Sequence, residues 1–235
     1  MTNQDLFTAA LTSNKAWAAS TTASHPDLFR TLSQGQNPFI LWLGCSDSRC
    51  PETTLLGLKP GDVFVHRNIG NIIHPADLSS AAVIEYSVRQ LGVKHVVVCG
   101  HSLCGGVNAA LAAPAPTVSG GKDSSKLGVL NPWLGPLRKL KKDNAALLKG
   151  LSADQAALKL VELNVLAGVR SVKTRTVVVE AMKRGLQVHG LVYDVASGVL
   201  QELEVDGASG NEGGRGKANG NGDRVVRKRV TSLTK

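Results

Sequence analysis

Two short clusters hold the side chains able to do chemistry. GCSDSRC, at 44–50, places Cys45, Asp47, Arg49 and Cys50 within seven residues, and GHSLC, at 100–104, sets His101 and Cys104 three apart. Thiolates and a neutral imidazole are preferred zinc ligands, so Cys45, His101 and Cys104 make a Cys2His set with one coordination position open. That pattern belongs to a catalytic zinc site rather than a closed structural one; a metal-free thiol site is the alternative. A structural zinc site would require a fourth protein ligand, and Cys50, Cys99, His66 and Asp47 are the candidates. Three of them have plainer uses. Cys99 reads as a small buried hydrophobe, Cys50 as the flank of a helix that starts at Pro51, and His66 as a hydrogen-bonded structural histidine at a strand end. Asp47 either ligates the metal or accepts a hydrogen bond from a water on it, and a bidentate Arg49 favours the second role. An ordinary exposed turn ion pair, worth ~0–1 kcal/mol, is the competing reading of Asp47 and Arg49.

Segments distant in sequence must bring these clusters together. Each cluster follows a short apolar run, PFILWLG before Cys45 and HVVVCG before His101, so both emerge at the carboxyl ends of strands, where open α/β sheets build their sites. Around them, NQDLFTAALTSNKAWAAS reads as an amphipathic helix and HPDLFRTLSQG as a shorter one. DVFVHR reads as a strand and ADLSSAAVIEYSVRQLG as a helix stopped by Gly92. Residues 132–184 are helical with a break at LKGLS. The strand-like runs LQVHGLVYDV and VLQELEVD, joined by ASG, predict an antiparallel edge. The expected fold is α/β: a central, mostly parallel sheet with an antiparallel edge strand, helices on both faces and an N-terminal helical arm. One domain should cover 1–206, its arm 1–35. LAAPAPTVSGGKDSSKLG, at 111–128, reads as a long polar loop.

Composition narrows the classes. With 235 residues and 43% hydrophobic content the chain has ample material for a core. No apolar run approaches the ~20 residues that span a bilayer. The net charge of +9 is unevenly spread: 207–235 holds seven Lys/Arg against Glu212 and Asp223, a surplus of +5, which leaves +4 for the rest. That Gly- and Asn-rich stretch reads as a flexible, solvated basic tail rather than a nucleic-acid surface. Four cysteines set beside His and Asp point to metal or catalytic use in a reducing compartment, not to a disulfide framework. The N-terminus lacks a signal-peptide core, and Asp5 precedes the first arginine, Arg30. A cytoplasmic protein is expected, a mitochondrial chain already trimmed of its leader being the alternative.

CSDSR, HRNIGN and GHSLCGG, in that order, resemble the β class of carbonic anhydrases; the likeness runs from about 36 to 107, with a weaker continuation to 193. The resemblance implies one zinc ion per subunit on Cys45, His101 and Cys104, and an Asp-Arg dyad on Asp47 and Arg49. It implies reversible hydration of carbon dioxide to bicarbonate and a proton by a zinc-bound hydroxide. It also implies a substrate-orienting Gln36, an apolar pocket wall of Phe64 and Tyr86, and a backbone N–H from Gly105. In one subgroup the positions matched by Trp42, Arg67 and Tyr193 form a bicarbonate pocket that lets the aspartate close onto the metal. A homodimer or homotetramer is implied, with the N-terminal helices embracing a partner and no membrane or nucleic-acid partner. Two thiolates should leave a coordinated water less acidic than imidazoles do, so activity is expected to rise toward alkaline pH.

Two other readings use the same ligands: a carbonyl sulfide or carbon disulfide hydrolase, and a non-catalytic zinc protein with a nucleic-acid-binding tail. The latter has no use for Asp47 and Arg49 beside an open position. A zinc deaminase is disfavoured, because Ser102 and Leu103 follow His101 where its glutamate would stand.

Overall fold

The computed structural model describes residues 3–112, 128–205 and 225–227. The chain divides into two units, Met1–Asn37 and Pro38–Lys235. In the first, α1 (Asn3–Ser24) and α2 (Leu28–Ser33) are joined at His25, whose N–H donates to Thr21 O. Trp17 meets Phe29 edge-on with ring centroids 5.6 Å apart, while Leu6, Phe7 and Leu11 of α1 are exposed.

The second unit is built on a sheet of order β2-β1-β3-β4-β5-β6. Its strands are β1 (Ile40–Cys45), β2 (Val63–Asn68), β3 (His95–His101), β4 (Gln187–Asp194), β5 (Val199–Val205) and β6 (Val225–Arg227). The first four are mutually parallel; β5 returns antiparallel on β4, as the two runs around ASG predict. Val225–Arg227 adds a short antiparallel strand on β5 that the composition of the tail conceals. The remainder of 207–235, and the loop at 113–127, lie outside the described residues.

Alternation along the strands divides the core. Leu41 and Leu43 of β1 and Val96 and Val98 of β3 face the larger cluster. There they meet α4 (Leu78–Arg89), α5 (Gly105–Ala112), α7 (Gly135–Asp143), α9 (Ala153–Lys173) and α10 (Thr176–Met182). Trp42, Val97, Cys99 and Tyr193 face the smaller cluster, under Leu55 of α3 (Glu52–Leu55). Two further short helices, α6 (Leu130–Trp133) and α8 (Ala145–Leu148), flank α7. The break before α9 is a capping box, Ser152 Oγ accepting from Gln155 N while Gln155 Oε1 accepts from Ser152 N. No described helix is long and apolar enough to cross a membrane.

Close approach between α9 and the sheet rests on glycines. A Cβ on Gly100 would lie 2.8 Å from both Val161 Cγ1 and Val165 Cγ2, and one on Gly168 2.9 Å from Val98 Cγ1. Gly100→Ala is therefore expected to destabilise the protein by about 1–3 kcal/mol through overpacking. Urea unfolding checks this: the midpoint should fall with no change in slope.

Candidate active site

Cys45 ends β1 and His101 ends β3, so the parallel pairing delivers both to the same edge of the sheet. A turn through Ser102 and Leu103 then brings Cys104 back to the entrance of α5. The sulfurs of Cys45 and Cys104 and a ring nitrogen of His101 all lie within 4.8 Å of one another, and the three residues are 7%, 2% and 1% exposed. This is the sole such group among the described residues.

The donor set fits a metal. His101 Nδ1–H donates to Ser102 O at 2.9 Å, which turns the lone pair of Nε2 inward, and Nε2 is buried without a hydrogen-bond partner. Cys45 is lowered to about 4, chiefly by its hydrogen bond with Cys104, and the same bond raises Cys104. Burial disfavours a charged His101, but the sulfurs of Cys45 and Cys50 beside it outweigh burial and raise the imidazole to about 10, so without a metal a proton sits on Nε2 where the lone pair would bind one. Protons here neutralise a concentration of negative charge, and a divalent cation would displace them.

Asp47 stands at the lip of this cluster. Its Oδ1 accepts from Arg49 N at 3.0 Å and Nε at 2.9 Å, and its Oδ2 accepts from Arg49 Nη2 at 2.7 Å and lies 3.8 Å from His101 Nε2. The fork of Arg49 holds the carboxyl well below the usual carboxylate range. Arg49 also donates to Leu103 O at 3.2 Å, tying the first cluster to the second.

Several residues that hold the site were not evident in the sequence. Gly70 N donates to Cys45 Sγ at 3.4 Å from a turn that needs its φ of 74°. That turn is fixed from three sides: Asn68 bonds both N and O of Ile72, Asn164 of α9 donates to Gly70 O at 2.8 Å, and Trp133 donates to Ile69 O at 2.8 Å. HRNIGN thus supplies a backbone donor to the sulfur of Cys45. Its only sequence signal was the motif itself.

The remaining candidates are not all gathered at the cluster. Arg67 donates to Cys45 O at 2.7 Å and Asp47 O at 2.5 Å and pairs with Glu52 at 3.6 Å, so its guanidinium clamps the strand end beneath Asp47. Trp42 and Tyr193 are buried in the smaller cluster beside Cys50 and Cys99. Cys50 and Cys99 thus lie in apolar packing, and burial raises the Cys99 thiol. Gly105 opens α5, with no atom within 4 Å of where its Cβ would be. Phe64 stacks on Tyr86 with centroids 5.7 Å apart, but it precedes Asn68, the partner of Cys45, by four residues. That is about 13 Å along β2, so this aromatic pair is not brought to the cluster of its own chain. Gln36 is exposed in the first unit.

Leu103, between His101 and Cys104 in the turn, takes φ 59° and is 54% exposed. A non-glycine residue there costs about 1–2 kcal/mol. Leu103→Gly should recover about 1 kcal/mol, read as a higher urea midpoint; an unchanged or lower midpoint would show that the side chain returns at least as much as the strain removes.

The carbonic anhydrase family model matches residues 40–200. The carbonic anhydrase of Emericella nidulans is 45% identical over 197 residues, which cover 83% of this chain and 82% of that protein. The crystal structure of a β-carbonic anhydrase from the fungal pathogen Aspergillus fumigatus is similar with a TM-score of 0.78 and 57% identity, over 87% of this chain and 92% of that one. Two tetrameric β-carbonic anhydrases from Sordaria macrospora are represented at a TM-score of 0.77 and 44% identity, over 84% and 96%. A match that begins at the first residue of β1 and ends within β5 takes in each strand and turn that positions Cys45, His101 and Cys104, and the chain belongs to the carbonic anhydrase family, in its β class.

Proposed function

We propose that this carbonic anhydrase hydrates carbon dioxide reversibly to bicarbonate and a proton with one zinc ion per subunit, held by Cys45, His101 and Cys104. The observation that carries the reading is the trio of buried donor atoms, with His101 Nε2 left unpartnered. Two thiolates and an imidazole suit zinc among abundant divalent ions. When bound, zinc makes a water acidic enough to act as a nucleophile, toward about pH 7 in three-histidine carbonic anhydrases, a value borrowed from them. Asp47 carries the orientation. Ionised and gripped on both oxygens by Arg49, it can only accept hydrogen bonds, so a water or hydroxide at the cluster must point its hydrogen at Asp47 and a lone pair away, toward substrate. The same grip favours this role over ligation.

Stopped-flow hydration on zinc-quantified protein tests the reading. Rates that track zinc content and climb above neutral pH support it; full zinc occupancy with no hydration at any pH rejects it.

The displacement of Phe64 and Tyr86 from their own cluster supports an oligomer in which one copy walls the pocket of another, and the tetrameric Sordaria relatives support assembly. Co-expressed Phe64→Ala and Cys104→Ser chains should then show more activity per zinc than Phe64→Ala alone, because mixed pairs restore one intact pocket. Equal activity per zinc would count against shared pockets.

A further inference from the structure

His95, His189 and Glu202 form a hydrogen-bonded chain of side chains toward the opposite end of the sheet. His95 opens β3 six residues before His101, about 20 Å along the strand. His189 is on β4, opposite Val97, and Glu202 is on β5, opposite Leu191. His95 Nδ1 and His189 Nε2 face each other at 3.1 Å, with ring centroids 5.3 Å apart, and His189 Nδ1 meets Glu202 Oε1 at 2.8 Å. The His189 and Glu202 side chains are 26% and 36% exposed, so water reaches the group.

We propose that His95 Nδ1 and His189 Nε2 form a second site for a borderline divalent transition-metal ion, of the class of zinc or copper, with Glu202 orienting His189 from behind. By accepting the Nδ1 proton of His189, Glu202 directs the Nε2 lone pair at His95; a carboxylate behind a ligand imidazole is the usual outer support of such sites. Burial and the neighbouring His189 lower the pKa of His95, so its ring is neutral and needs only to hold its proton on Nε2 to present Nδ1. Two nitrogens bound tetrahedrally at about 2.0–2.1 Å lie about 3.3 Å apart. The observed 3.1 Å is close to that spacing, and binding needs the rings to pivot so that their lone pairs converge beside the N···N line. Waters would complete the coordination, and the ion would bridge two adjacent parallel strands. The same groups, serving only as a hydrogen-bonded chain, would bind no ion.

Equilibrium dialysis of the full-length, zinc-loaded protein against zinc separates these uses. Two ions per chain are expected, the second more weakly held. His95→Ala and His189→Ala should each leave one, with hydration activity kept, and Glu202→Gln should weaken the second site about 10- to 100-fold. Copper(II) added to the zinc-loaded wild type should show nitrogen ligation in its paramagnetic resonance spectrum, and the same signal should be absent from His95→Ala, which decides the matter if His189→Ala does not fold. One ion per chain in the wild type, or a second that survives in His95→Ala, would overturn the proposal.

Discussion

Cys104→Ser is expected to yield a folded protein that holds no metal and hydrates carbon dioxide at close to the uncatalysed rate. Serine has nearly the size of cysteine, so the entrance to α5 is preserved, including the bond from Asn108 N to Cys104 O at 3.0 Å. Its hydroxyl, however, does not ionise near neutral pH, and the cluster loses one of three donors and one negative charge. Mutating an outer partner of a metal ligand typically costs 10- to 100-fold in metal affinity or activity, so loss of a ligand should cost much more. A fall in kcat/KM of about 10⁴-fold or more is expected. Chelator-stripped wild type should behave in the same way and recover with added zinc; Cys104→Ser should not recover. Metal analysis and stopped-flow assay read both quantities. Full metal content with wild-type activity in the variant would remove Cys104 from the centre.

The meeting of Cys45, His101 and Cys104 was legible because each cluster directly follows a strand, and parallel strands deliver their carboxyl ends to one edge. Short-range pattern reaches that far. It does not reach Asn164, whose bond to Gly70 O spans 94 residues, nor Arg67, whose role depends on β2 pairing in register with β1. Gly100 shows a different limit: HVVVCG reads as a strand, but nothing local shows that this glycine is there because α9 packs against it. Phe64 and Tyr86 read as a pocket wall by resemblance; the structure packs them together away from the cluster, a placement a single chain's pattern cannot explain. The strand at Val225–Arg227 was hidden by the glycines and asparagines before it, since two adjacent valines are weak evidence until β5 offers an edge.

Asp47→Asn separates orientation from metal binding. The amide keeps the size of the carboxylate, but it carries no charge and presents N–H groups on one side. Either its NH2 meets the donors of Arg49 or it faces the cluster with a donor where an acceptor is needed. Zinc content should be unchanged, because Asp47 is outside the three-donor cluster. The rate should nonetheless fall about 10²- to 10³-fold, the range for removing one preorganised electrostatic contact to a reacting group. Arg49→Ala should cost less, about 10- to 100-fold, since it leaves the charge and frees only its position. Protonation cannot account for either loss. The folded pKa of Asp47 is depressed, so what its ion pair adds to stability is present above the ordinary carboxylate value of about 4 and is lost only as pH falls below it. Across neutral and alkaline pH the carboxylate is ionised with or without Arg49, and the two variants should show their deficits over that whole range. A deficit in Arg49→Ala that vanished at high pH would mean instead that the freed Asp47 competes for the metal, with hydroxide displacing it as pH rises.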